Sequence, residues 1–596
     1  MALQTTLTIR IGETTISTFL NFMLAQDIEE HHFLTLECRE DELLLQNPGL
    51  KGDFQQLVGE PIMVTMQCQE SIFSTSIGNF KGIVTQVKMR KSDGFSKGKT
   101  VTFKAFSPTI LMDNGPESLS FLKKDLKSIV NSALSNYDVK LLETVVKPEK
   151  NTPYPYVVQY NQSDYDFIGR LCARQGEWFY YNGQKLIIGN EDASKVIDLR
   201  YGFDLIEYDF EMSLQPTRFK YHTNDVSEGA SHQSPTSIHE GSVNGLNQSI
   251  LQTSGKIFAK ETTVQHNQLV SETMGQSDTD QFSRLSFDQK VANMVFVSGR
   301  SEDPAVRPGA IINILDENQD SKGHFRVIEA THHCIDTGEY ENSFKAIPEQ
   351  VKISPYAQPS DYTKCESQMA TVIDNNDPKG LGRVLVQMAW QKPVGETTDW
   401  IPLISSHGGE GKGMHFIPEI GETVLVDFQS GNAEMPFVAG NLYHNQAKSG
   451  FHDADNNIKA LQTRSGTKII MHDGEGSVTV EDPSGNIWHM DGDGNISVNA
   501  PKNITLNAGK DFVINVGENM TTTVGKNKNT DITNKYTINS ESHNETVSQN
   551  KTIEVGGDLK ETTATTTHTA KSGDILIHSA GVATILGDVD AKVNKS

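Results

Sequence analysis

Apolar and polar residues alternate most regularly between Asn495 and Asp590, in blocks of eight: NISVNAPK, NITLNAGK, DFVINVGE, NMTTTVGK and onward to ATILGDVD. Alternation is the signature of a strand with one face in and one face out. Each block predicts a short strand and a turn, with Gly509, Gly517, Gly525, Gly557, Gly573 and Gly581 at the turn place. The inward face is expected to carry Val498, Ile504, Leu506, Phe512, Ile514, Val516, Val524, Ile538, Leu576 and Leu586. Between Thr530 and Thr566 the pattern weakens, and Ile553 and Val555 fall out of phase, which predicts a narrower or locally shifted stretch. A fixed short period means a solenoid-like repeat. Each block shows only two or three side chains to an interior, so one copy has no core and two open edges. Three copies wound into a triangular prism remove the lateral edges. Twelve blocks at about 4.7 Å per strand give a shaft of roughly 55 Å.

Upstream, to about Ser360, the alternation is shorter. Strands are expected at 7–16, 31–40, 62–67 and 83–89, and again in MVFVSGRSEDPAVRPGAIINIL, 294–315, around a Pro308-Gly309 turn. Apolar residues at helical spacing predict helices over 117–137, after Ser163, and over about 279–290. The second has Ser163 and Asp166 placed as a capping box and Gly176 as its stop.

From Cys365 to Gln446 the pattern describes a small five-stranded barrel of the oligonucleotide-binding (OB) type. Val384, Val386 and Met388 share one face, Val424, Val426 and Phe428 another, and Gly431-Asn432 marks a hairpin. Here a family resemblance rests on particular residues: Gly382-Arg383-Val384, Trp390, Phe416-Ile417-Pro418, Gly421 and Val424 to Phe428. The stretch resembles the OB barrel of valine–glycine repeat (VgrG) proteins, the spikes of type VI secretion systems, related to the cell-puncturing spikes of contractile phage tails. Residues 460–498 look like that family's neck, and SDYDFIGRLCARQGE with Arg307-Pro308-Gly309 resembles its hub. The resemblance implies a mainly β chain: hub-like β-barrels with a few helices over 1–365, an OB barrel over 366–446, a neck over 447–494, and an intertwined triple-stranded β-helix needle over 495–596. It implies a homotrimer whose hub meets an inner tube ring of the Hcp type and baseplate proteins. The tip would be covered by a PAAR-type cap, docking at Thr584, Ile585, Leu586 and Val589, and would bring secreted effectors transiently through a target membrane. Alternatives are the same spike in a phage tail or extracellular injection particle, or a polysaccharide-degrading tailspike enzyme.

Composition narrows the rest. A 596-residue chain of net charge −24 is a poor match for nucleic acid, and from Leu381 to Gln446 the barrel carries only Arg383, Lys392 and Lys412 against seven acids. The five scattered cysteines predict reduced, buried thiols. MALQTTLTIRIGE lacks the pattern of a signal peptide, so assembly in the bacterial cytoplasm before export or injection is expected. His31-His32 and His332-His333 are adjacent pairs whose members point to opposite faces, so neither predicts a metal site. His568 and His578 lack the spacing of a tip iron site. Acids along the needle, Asp511, Glu554, Asp558, Glu561 and Asp574, have no cleft in which to act as a pair. No catalytic residue, metal or cofactor is expected.

Overall fold

The computed structural model describes residues 4–69, 75–91, 98–191, 195–225, 228–266 and 275–593. The chain divides into two compact units, Met1–Ala460 and Leu461–Ser596.

The first unit is built on one continuous thirteen-stranded sheet. Strands from the first hundred residues (Thr5–Ile11, Thr14–Ile16, Asn21–Asp27, Phe33–Arg39, Pro61–Gln69, Thr75–Lys91, Lys99–Phe106) form one flank. Strands Ile197–Arg200, Leu205–Met212, Val295–Ser301, Ile311–Leu315, Ser321–Ile335 and Tyr340–Pro348 form the other. The flanks join where Asn21–Asp27 runs antiparallel to Ser321–Ile335, with His332 opposite Leu24. Alternation places the core: Ile62, Val64, Met66 and Cys68 are buried while Met63 between them is exposed.

Helices α1 (Glu40–Gln46), α2 (Leu126–Ala133), α3 (Asp164–Gln175), α4 (Gly245–Ile257) and α5 (Gln276–Ala292) sit in insertions between these strands. Of the expected capping box, the structure shows the Ser163 hydroxyl accepting the Asp166 amide, and Gly176 ends α3 in the left-handed region at φ 72°, as expected. The helix expected over 117–137 is corrected. Glu117–Lys124 is a strand, paired with Tyr154–Gln162, and the helical part is Leu126–Ala133, continued by a 3-10 turn over Leu134–Asn136. Asp125, whose carboxylate accepts the Ser128 amide, starts the helix there. Pairing with the neighbouring strand outweighs the helical spacing of Leu119 and Leu122. The polar stretch near 222–250, assigned no element from sequence, holds the strands Phe219–Asp225 and Ala230–Pro235 and the start of α4.

The barrel follows. Its sheet orders Leu385–Met388, Gln368–Asp374, Thr423–Phe428 and Pro436–Asn441. The expected fifth strand is reduced to isolated pairings, Val384 with Ile401 and Leu403 with Val438. Val384, Val386, Met388, Val424, Val426 and Phe428 are buried together, with Tyr156 and Val158 of the hub strand in the same core.

The second unit contains an antiparallel meander, Lys468–His472, Ser477–Glu481, Ile487–Met490 and Ile496–Asn499. Its turns are tied by side chains. Asp482 and Asp491 each accept the backbone amide four residues on, from Asn486 and Asn495, and the amide side chains of the same asparagines. From 501 to 593 the chain is extended between regular bends, with no strand partner among the described residues, and every residue is exposed.

Candidate functional site: the octad repeat and the barrel–hub joint

Eight-residue periodicity is drawn directly in the backbone. It bends sharply at 501–502, 509–510, 517–518, 525–526, 533–534 and 541, and again at 548–549, 556–557, 564, 571–573, 580–581 and 588–589. All ten residues expected on the inward face are exposed in the single chain, among them Val498, Ile504, Leu506, Phe512, Ile514, Val516, Val524, Ile538, Leu576 and Leu586. So are Ile585 and Val589 of the expected tip, and Thr584 beside them. Asn594 to Ser596, the end of the expected needle, lie outside the described residues. A monomeric surface does not ordinarily hold a file of half-exposed Ile, Leu, Val and Phe over ninety residues. The backbone there has the same deficit: extended chain with no ladder partner leaves its N–H and C=O groups to be satisfied elsewhere.

The six octad glycines are placed at the bends, but not for the expected reason. Only Gly573 has a positive φ, 99°. Gly509, Gly517, Gly525 and Gly557 have ordinary backbone, and a Cβ added to them would meet nothing within 4 Å in their own chain. Within the single chain neither a positive φ nor crowding accounts for glycine at these four places.

In the first unit, the structure shows how the barrel is held to the hub. Arg170 and Arg174, one turn apart on α3, both reach Glu434 of the barrel: Arg170 Nη1 lies 3.4 Å from Oε1, and Arg174 bonds Oε2. All three side chains are almost completely buried. Arg170 also donates to the Val158 carbonyl at 2.8 Å and to Gln162 at 3.2 Å, and Arg174 lies over the Tyr154 ring. Nearby, Glu396 accepts from the Ser120 amide and hydroxyl, and the Gln391 side chain donates to Ser120 and Tyr156. Sequence reasoning missed this joint. It had a signal: two arginines at i and i+4 on the face of a helix that is otherwise core need a buried acid. Glu434 and Glu396 were instead counted as surface charge against nucleic acid. Arg383 is taken by Asp377, whose carboxyl it holds well below the usual range. Trp390 packs on the barrel core and donates to Gln368 at 3.0 Å, a packing residue and not a base platform.

One member of each adjacent histidine pair is buried, and the two meet across the sheet seam. Asn342 donates to the Tyr340 hydroxyl, which can donate in turn to His332 Nδ1 at 2.7 Å. His332 Nε2 donates to the Gln26 carbonyl at 2.9 Å, and the Gln26 amide donates to His32 Nδ1 at 3.0 Å. In this arrangement both Nδ1 atoms accept, so neither ring has room for a second proton. Burial lowers both histidines to about 3. Among the described residues, no group of three or more His, Cys, Asp or Glu is placed to hold a metal, and no helix is long and apolar enough to cross a membrane.

Comparison with known proteins agrees with this architecture. The family model described as phage tail baseplate hub (GPD) matches residues 28–338, more than half of the chain. The model of the type VI secretion system/phage-baseplate injector OB domain matches 368–443. The type VI secretion system spike protein VgrG4b of Pseudomonas aeruginosa is 25% identical over 404 residues, 58% of this chain and 46% of the relative. The actin cross-linking toxin VgrG1 of Vibrio cholerae is 21% identical over 410 residues, 62% of this chain and 34% of the relative. The chain thus spans less than half the length of either. Among solved structures, the lidded Francisella PdpA–VgrG complex superposes with a TM-score of 0.53 at 9% identity, covering 83% of this chain and 80% of that one. The chain belongs to the phage tail baseplate hub (GPD) family, among its VgrG spike proteins.

Proposed function

We propose that this chain acts as a homotrimer, the rigid spike of a contractile injection machine of the type VI secretion kind, and works mechanically without catalysis. One observation carries the reading: some ninety residues of evenly bent, extended chain find no partner within their own molecule and expose an apolar file. Two further copies supply both the missing ladder and the missing interior. Each Val, Ile or Leu buried there contributes about 1.5–3 kcal/mol, multiplied by three at every layer. A closed prism resists bending better than an open sheet, and its outer Thr, Ser, Lys and Asp keep it soluble. The hub would rest on the inner tube ring within the baseplate. The far end still presents strand edges, which a PAAR-type cap carrying effectors would cover at Thr584, Ile585, Leu586 and Val589. The related VgrG solved in complex with PdpA supports partner binding by this fold.

Sedimentation velocity on the intact chain tests the reading. A threefold mass is expected, falling to single chains when Ile514 and Val516 are both replaced by Asp. A folded, stable single chain under native conditions would refute it.

A further inference from the structure

With the three-residue bend 571–573 counted by its middle residue, the bends described above are eight residues apart with one exception. Counted from the first residue of each, they fall at 501, 509, 517, 525, 533 and 541, then at 548, 556 and 564. The step from 541 to 548 is seven. In an extended chain a one-residue slip exchanges the two faces. We propose that this short block resets the inward face of the needle, so that beyond it Ile553, Val555, Leu559, Ile575, Ile577 and Ile585 pack against two other copies of this chain, and the octad-counted Leu576 and Leu586 face outward. The inference rests on the trimeric reading above and adds its register.

Exposure supports the reset independently. The residue just before a bend has nearly constant exposure: Val516 48%, Val524 47% and Ile532 46% before the short block, Val547 46% and Val555 45% at and after it. Counted strictly in eights, Val547 and Val555 would belong to the column of Asn507, Asn515 and Thr523, which is polar. Leu576 and Leu586 are 84% and 88% exposed, whereas Ile575, third after Ser572 in the middle of its bend as Ile504 is third after Pro501, is 56% exposed, and Ile577 and Ile585 are 72% and 71% exposed. The glycines conceal the slip. Gly509, Gly517 and Gly525 hold the first place of their bends, Gly557 and Gly581 the second. The count from Gly525 to Gly557 remains a multiple of eight although the backbone has moved by one.

The same reset brings a charged pair to the inward face. Lys551 is third after the 548 bend, the place of Ile504 and Phe512. Glu545 is third before it, the place of Ile514 and Ile538. The two form an ion pair at 2.6 Å, about half exposed in the single chain. In the trimer, three such pairs make one charged layer between apolar ones. Buried polar layers of this kind set register, because sliding a chain by one block would place a charge against an apolar layer.

Single-cysteine variants of the full-length chain test this, since the five native cysteines are all buried. Ile577→Cys and Ile585→Cys in the native trimer should react with a maleimide at least about tenfold more slowly than Leu576→Cys and Leu586→Cys. In parallel, E545Q should lower the midpoint of trimer dissociation, while D558N, at the fully solvated Asp558–Lys560 pair, should not. The opposite protection pattern in a sedimenting trimer, or E545Q indistinguishable from D558N, would overturn the register and leave the trimer standing. Uniform labelling of a chain that sediments alone would remove both.

Discussion

Two buried clusters show at the level of single residues how this hub is held and when it fails. Glu434 answers two guanidiniums in a site from which water is excluded. Removing it leaves both arginines unpaired, and breaking a buried pair in this way costs about 3–5 kcal/mol. Glu434→Gln should therefore lower the denaturation midpoint of the hub and barrel by far more than a surface change such as Glu410→Gln. The histidine seam is sensitive to acid, with a definite sign. An unfolded histidine takes its proton near pH 6.5, whereas folded His32 and His332 wait until about 3. Between these values the unfolded state binds more protons, so stability is lost as pH falls from about 6.5 toward 3, by up to about 2.7 kcal/mol per pH unit for the two together. Glu29, which burial and the nearby Asp27 push up to about 7, opposes part of this between about 4.5 and 7. A denaturant midpoint series from pH 7 to 4 should slope downward toward acid. His332→Gln should flatten the slope, whatever it does to the midpoint at pH 7.

Single elements show where local pattern suffices and where it fails. Helix α3 was legible because its start and stop are local chemistry: Ser163 caps it and Gly176 releases it. Gly176 also faces Leu285 and Ile353, 2.8 and 3.1 Å from where a Cβ would stand. Gly176→Ala should accordingly cost about 1 kcal/mol or more from the left-handed backbone alone, read as a lower thermal midpoint. The barrel strands were legible too, since alternate residues of 384–388 and 424–428 face one core. Glu117–Lys124 was not, because what makes it a strand is Tyr154–Gln162, thirty residues away. The Glu434 joint and the Gln26 bridge likewise depend on pairs separated by more than 250 residues. The slip at 541–548 was visible only as a weakening of the pattern around Ile553 and Val555. Counting in eights runs straight through it, because glycines on both sides keep a common multiple, and on the proposed register the inward face beyond it is the other one.

At the scale of the whole molecule the repeat makes a quantitative demand on symmetry. If the needle were closed by register alone, the number of residues in each block would matter more than their identity. Inserting one alanine after Gln549 turns the full eight-residue block that starts at 548 into nine. On the proposed register every residue beyond the insertion then changes face: Leu576 and Leu586 turn inward, while Lys551, Ile577 and Ile585 turn outward. The distal layers would exchange Ile553, Val555 and Ile575 for Thr552, Glu554 and Asp574. Losing even two apolar layers over three chains removes several times the roughly 1.5–3 kcal/mol of a single buried side chain. The insertion variant should keep a trimeric proximal needle with Ile504, Leu506, Phe512 and Ile514 protected, yet its distal half should become protease-sensitive and fail to retain a PAAR-type cap in a pull-down. The substitution Gln549→Ala without insertion should do neither. An insertion variant as resistant and as well capped as the parent would mean that the distal half is not held by an inward apolar face at all.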